Sequence, residues 1–300
     1  MEVLTDRDIE RVPIAAFVDA ISDFLVADFG GRTTSPPRQS IDFPVGKMVF
    51  TTGGSGRLAG FRAYESFDSS GRIAEQQIVA AWDTVTCVLK GICLGTRLGA
   101  IRTGVLGGIA VDTLAPSSAA ICALIGTGVQ AETQLLGILA RRQLTEVRVF
   151  SRSAAKVDAF LERMRGSTQA TMVACGSAED AVSGTDIAVL ATDSKVPVVE
   201  PAVLGSAAHI TTVGPKFREA HELPLEAATG RLIVSDSPRQ IRDQGSRHML
   251  SDRFRQQEPR HLGELLSSGN SGAKPRSLYL SAGLAGTEVV ALDAALTHRG

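Results

Sequence analysis

The chain has 300 residues, of which 44% are hydrophobic and 21% charged, and its formal net charge is -1. That length and apolar content build one large domain or two ordinary ones and exclude a disordered chain. The near-neutral charge, with basic residues scattered, excludes a nucleic-acid binder, and no apolar run reaches the roughly 18 residues of a membrane span.

The N-terminal MEVLTDRDIERV is acidic and polar, unlike a secretory leader. It reads as the approach to a helix, with Thr5 at the cap and Asp8 closing a capping box. Ile9, Val12, Ala16, Val18 and Ile21 form its apolar stripe. The loop GGRTTSPPR is rich in turn residues. The runs GKMVFTTGG, GRLAGFRAYESF and RIAEQQIVAAW alternate loosely and predict an antiparallel sheet. A helix is expected from Arg102 to about Pro116. Its glycines cost about 1 kcal/mol each relative to alanine, but they let a neighbouring element approach closely.

After Pro116 the pattern changes. SAAICALIG, EVRVFSR, TQATMVAC, DIAVLATD, HITTVG and RLIVSD are short apolar runs, the first three each followed by a helical pattern. Continuous apolar strands between helices predict a parallel sheet covered on both faces, of about six strands. From Gln240 to Asn270 the chain is polar and helical in places. SLYLSAGLAGTEVVALDAALTHR then supplies a strand and an amphipathic helix, expected to return to the first domain. The fold class is therefore α/β: a Rossmann dinucleotide-binding domain at 116–275, and a discontinuous α+β domain at 1–115 with 276–300. Cys87, Cys93, Cys122 and Cys175 have no CxxC spacing and are expected to be buried, reduced thiols. No histidine stands at zinc-ligand spacing from them, so no metal is expected. These features favour the cytoplasm.

The motif with most chemistry is Gly126-Thr127-Gly128-Val129-Gln130-Ala131, between the strand ICALI and the helix AETQLLGILA. Gly126 permits a tight turn, Gly128 admits a pyrophosphate to the backbone, and Ala131 lets helix and strand pack. The phosphates would meet free N–H groups and the positive end of the helix dipole. Strands that bind NAD usually end in a carboxylate for the ribose hydroxyls. Here Ser151-Arg152-Ser153 follows Phe150, and a guanidinium between hydroxyls suits a 2′-phosphate. NADP(H) is thus the expected cofactor, with NAD(H) as the other possibility. Thr192 and Asp193, and Val213 and Gly214, end two further strands at the edge where α/β sheets bind ligands.

The combination of Arg102-Thr103 with IGTGVQAETQL, DIAVLATDSKVP, HITTVGPKFREAHELP and SAGLAGTEVVALDAA resembles the ornithine cyclodeaminase/mu-crystallin family over nearly the whole chain. The resemblance implies a homodimer whose N-terminal domain dimerises and binds a small amino, imino or keto acid. It assigns Arg38 (after Pro37), Arg62 (where a lysine is usual) and Arg102 to the substrate carboxylate, and Arg102, Thr103 and Ser281 to the cofactor. Where the cyclodeaminases carry an aspartate after the glycine of the fifth strand end, this chain has Lys216. A protonated lysine cannot serve as that base, and Asp193 or Glu65 would have to substitute. The leading expectation is hydride transfer from NADPH to a 2-imino or 2-keto acid, with Arg62 and Lys216 as candidate catalytic groups. A cyclodeaminase-like lyase and a non-catalytic NADPH-binding protein are the competing readings.

Overall fold

The computed structural model describes residues 2–67, 76–269 and 274–298. Its contacts divide the chain into two units, Met1–Arg102 with Gly283–Gly300, and Thr103–Ala282.

In the first unit the capping box forms: Asp8 accepts from both the backbone N–H and the hydroxyl of Thr5. The helix it opens is short, Asp6–Ile9, and a second runs over Ile14–Phe29. The expected stripe is thus interrupted, because Pro13 has no N–H to continue the ladder and fits only at a helix start. Phe17 is buried where Ala16 was expected. The three predicted runs become the antiparallel strands Gly46–Ser55, Leu58–Phe67 and Gln77–Asp83; positions 72–75 of the third run lie outside the described residues. The sheet is larger than the pattern suggested. Val88–Leu94 pairs with Gln77–Asp83, Glu2–Thr5 joins it in parallel, and Gln39–Phe43 and Thr33–Thr34 pair with Gly46–Ser55.

The helix Thr287–Thr297 packs across one face of this sheet. Glycines make room for it: a Cβ at Gly60 would lie 3.0 Å from Val289 Cγ1, and one at Gly91 2.9 Å from Leu296 Cδ2. Residues 287–292 are all buried, so the helix is enclosed on every side over its first turns rather than amphipathic. Cys87 is exposed, against expectation, in a turn at φ 58. Cys93 and Cys122 are buried, and burial pushes both thiols up to about 12, which leaves them protonated and inert.

The second unit is an eight-stranded sheet, parallel throughout. Its spatial order is Thr171–Ala174, Glu146–Phe150, Ile121–Ile125, Ile187–Leu190, His209–Thr212, Ser277–Leu280, Leu232–Ser235, Arg260–His261. Ile187–Leu190 and His209–Thr212 are buried at every position, as a sheet covered on both faces requires. Two apolar clusters lie on this sheet, one including Ile125, Leu190, Ile210 and Leu280, the other Leu124, Leu135, Val149 and Phe160.

Two boundaries differ from the sequence reading. Ser277–Leu280 is a central strand of this sheet, not part of the first unit: its four residues are all buried, and it is flanked on both sides. The chain leaves only after Ala282. The helix expected from Arg102 begins earlier and runs over Arg97–Leu114, and the units divide within it, after Arg102. Beyond that point its glycines meet the helix Val129–Leu139. A Cβ at Gly104 would sit 2.0 Å from the Thr133 carbonyl oxygen, and one at Gly108 2.2 Å from that of Gly137.

Candidate active site

Strand order reverses between Ile121–Ile125 and Ile187–Leu190, since the chain winds outward from the first and returns on its other side. Ligands bind in such sheets at the carboxyl ends of the strands at that switch. A groove of about 880 Å³ lies there.

Gly126 forms its inner turn at φ +117, with its N–H donated to the Phe150 carbonyl at 2.9 Å; a Cβ at this position would lie 2.3 Å from the Ala191 carbonyl oxygen. Only glycine tolerates both the angle and the approach. Gly128 is the N-cap of the helix Val129–Leu139 and, having no side chain, does not itself cover the first-turn N–H groups. A Cβ there would meet nothing of the protein within 4 Å. The opening turn thus presents backbone donors to the groove, an arrangement suited to an anion.

Gly126, Thr127, Gly128, Val129, Gln130, Ser151, Arg152, Thr192, Asp193, Val213 and Gly214 all line the groove. Ser153 does not: its hydroxyl caps the helix Ala154–Met164 by accepting from Lys156 N–H. Ser281, whose N–H donates to the Thr212 carbonyl, Arg102 and Thr103 also lie outside this lining. Two cations that the sequence reading passed over join Arg152 on the wall, Lys156 and Arg163. All three are exposed, and Arg163 pairs with Glu132 at 3.3 Å.

The groove's floor is organised by one carboxylate. Glu222 is fully buried and accepts from the N–H and hydroxyl of Thr192, the hydroxyl of Thr212, and the N–H groups of Val213 and Gly214, at 2.6–3.1 Å. It clamps the ends of two adjacent strands. Lys216 is buried and folds back on the same segment, with Nζ donating to the carbonyls of Val213 at 3.0 Å and Gly214 at 2.8 Å. Burial, with Lys216 adding to it, pushes His248 down to about 4, so its imidazole is neutral.

The first unit holds the three arginines expected at the substrate carboxylate. Arg62 and Arg102 are buried, while Arg38 is exposed. Between them stands a residue that carried no role in the sequence reading, Glu288. It is 1% exposed, 3.2 Å from Arg62 Nη1 and 2.9 Å from Arg102 Nη2. Burial alone would raise its carboxyl, but Arg102 and Arg62 outweigh that and hold it below the ordinary range. Arg62 also donates from Nε to Gln77 and lies over the Tyr64 ring at 4.2 Å. The signal for Glu288 was present, as a lone carboxylate in the apolar stretch GTEVVAL. Among the described residues no cluster of potential metal ligands occurs, and no helix is long and apolar enough to cross a membrane.

The family model described as the ornithine cyclodeaminase/mu-crystallin family matches residues 7–295. The NAD(P)H-dependent anabolic L-arginine dehydrogenase of Pseudomonas aeruginosa is 30% identical over 69% of this chain and 66% of its own length, just under two thirds. The ornithine cyclodeaminase of Brucella abortus is 26% identical over 94% of this chain and 80% of its own. Among solved structures, the Δ1-pyrroline-2-carboxylate reductase of Thermococcus litoralis, in complex with NADH and L-proline, superposes with a TM-score of 0.86. It covers 99% of this chain and 97% of that one at 22% identity, a likeness of fold.

Proposed function

Because the chain belongs to the ornithine cyclodeaminase/mu-crystallin family, we propose that it is an NAD(P)H-dependent reductase or dehydrogenase of a small 2-imino, cyclic ketimine or 2-keto acid, with NADP(H) preferred. The observation that carries this reading is a dinucleotide-sized groove at a sheet switch point in the same chain as a cluster of three guanidiniums. The Gly126 turn and the first turn of Val129–Leu139 suit a pyrophosphate. Arg152 and Lys156, exposed on the groove wall, suit a 2′-phosphate. The cofactor supplies the hydride. The protein's part is to hold the substrate carboxylate on arginine and to keep the strand ends at Thr192 and Gly214 in place. An iminium carbon is already electrophilic, so positioning accounts for much of the acceleration. Lys216, held by two carbonyls, acts in this reading as an anchor of the strand end rather than as the proton donor. A cytoplasmic location is part of this proposal, supported by dependence on a nicotinamide cofactor kept inside the cell.

We also propose a homodimer formed through the first unit. The sheet face opposite the helix Thr287–Thr297 carries Ile41, 55% exposed, and Phe43, Ile78, Leu94 and Val3, 42–45% exposed. Strand register brings these residues to one face, and an apolar patch of that kind marks an interface. Light scattering on a sizing column should give twice the chain mass, and Ile41→Glu with Phe43→Glu should give a single chain. A monomeric wild type defeats the proposal.

The activity is tested by NADPH oxidation with a panel of cyclic ketimine acids, and of 2-keto acids plus amines, alongside L-ornithine with NAD. Turnover of an imino or keto acid supports the reductase. Ammonia from ornithine without net cofactor change would instead establish the lyase, and bound NADPH with no turnover a binding protein. Replacing Arg152 and Lys156 by Gln should raise the Michaelis constant for NADPH about tenfold or more while sparing NADH, since charge-assisted bonds to one phosphate are lost. Equal effects on both cofactors would remove the 2′-phosphate assignment.

A further inference from the structure

The family resemblance gives the three arginines one common role, but they differ in what they have left to give. Arg62 has Nε on Gln77 and Nη1 on Glu288. Arg102 has Nη2 on Glu288, while its Nε and Nη1 are buried and without any hydrogen-bond partner, in a residue only 5% exposed. A buried guanidinium with two idle donors is costly unless a ligand completes it. The Thr51 hydroxyl, opposite Arg62 in the sheet register, is likewise buried and unpartnered. Gly283, at φ +81, brings bare backbone to this point: a Cβ there would stand 3.0 Å from Arg102 Nη1 and 3.4 Å from Arg38 Nη2. These two arms, one from a buried and one from an exposed arginine, therefore converge beside a residue that has no side chain.

Resting on the reductase reading, we propose that Glu288 is a positioning residue: it occupies Arg62 and one arm of Arg102, so that the substrate carboxylate is seated on the remaining donors of Arg102 and on Arg38. Arg62 then holds Glu288 rather than substrate. The arrangement also sets the depth of the seat. Glu288 already fills the inner position between the two buried guanidiniums, so an incoming carboxylate stops one layer further out. Its carboxyl stays ionised through neutral pH, because Arg102 and Arg62 overcome the burial that would raise it.

The test separates seating from simple damage. Pyrrole-2-carboxylate, a flat carboxylate with no C=N bond to reduce, is titrated calorimetrically into the full chain without cofactor, and turnover is measured separately with NADPH. Glu288→Gln removes a negative charge from among three positive ones. The probe should bind at least as tightly as to wild type, since the guanidiniums then draw an anion inward with no opposing charge beside them, while kcat falls roughly 10–100-fold because the substrate is misplaced. Glu288→Asp, one methylene shorter, should lie between the two. Arg38→Gln, at an exposed position, should weaken the probe about tenfold. Glu288→Gln losing affinity and turnover in parallel, or losing neither, overturns the proposal, as does an Arg38→Gln variant that binds the probe normally. Should Glu288→Gln not fold, Glu288→Asp and Arg38→Gln carry the same test. A wild type that binds the probe through Arg38 but turns over no imino or keto acid supports the seat and sinks the reductase reading.

Discussion

Glu222 shows how much one side chain can organise. Five donors from two strand ends converge on its two oxygens. A glutamine there has one acceptor oxygen and turns an NH2 group toward donors, so Glu222→Gln leaves buried N–H and O–H groups unsatisfied. The expected loss is about 3 kcal/mol of unfolding free energy, from the weight of bonds to a charged acceptor. NADPH affinity should fall with it, because Thr192 and Gly214 line the groove. Urea denaturation and a fluorescence titration with NADPH check the two effects, and unchanged cofactor affinity would show that the strand ends keep their place without the clamp. Glu222 and Leu223 were visible in the sequence as part of a motif. That the carboxylate faces backward, into strand ends ten and thirty residues away, was not, because spacing along the chain carries no information about which turn brings a side chain home.

At the scale of elements, the glycines of Arg97–Leu114 decide the packing of two helices in the second unit. A Cβ at Gly137 would stand 2.1 Å from the Gly104 carbonyl oxygen, and backbone cannot swing aside as a flexible side chain does. Gly137→Ala should therefore cost about 1–3 kcal/mol despite alanine's better helix propensity, the sign reversing because overpacking outweighs propensity. A thermal melt measures it, and a stabilised variant would mean that the helices separate freely. The sequence announced this contact in outline, through glycines in an otherwise apolar helix. It also announced the βα turn at Gly126 and the continuous apolar strands. It hid the place of SLYL, because a four-residue apolar strand reads the same in either unit and only pairing decides. It hid Val88–Leu94 too, a strand of mixed character entered through a turn at Cys87.

At the scale of the molecule, acid should destabilise the protein well before its carboxylates titrate. Burial holds His209 down to about 3, and His248 down to about 4, from an ordinary value of 6.5. Both are neutral when folded; His248 Nδ1 accepts from Leu250 N–H, which requires it unprotonated. Below pH 6.5 the unfolded chain takes up protons that the folded chain refuses, so stability is complete above that pH and declines as pH falls toward 4 and 3. Glu288, whose carboxyl is held low, adds a loss only below its ordinary value of 4.5. Melting temperatures should drop between pH 7 and 5, and His248→Gln should flatten part of that slope. A flat profile in the wild type would show that these rings gain protons without unfolding.

The position of Ser277–Leu280 governs when this chain can fold during synthesis. The strand lies between His209–Thr212 and Leu232–Ser235, yet it leaves the ribosome after both. Until it emerges, those two strands have no partner between them and expose unpaired backbone beside apolar faces, the condition that invites aggregation. The helix Thr287–Thr297, which covers the other sheet, arrives later still. The two sheets thus wait on adjacent stretches of chain, the strand Ser277–Leu280 and the helix Thr287–Thr297, and a nascent chain halted at position 276 would be a client for chaperones rather than a half-folded protein.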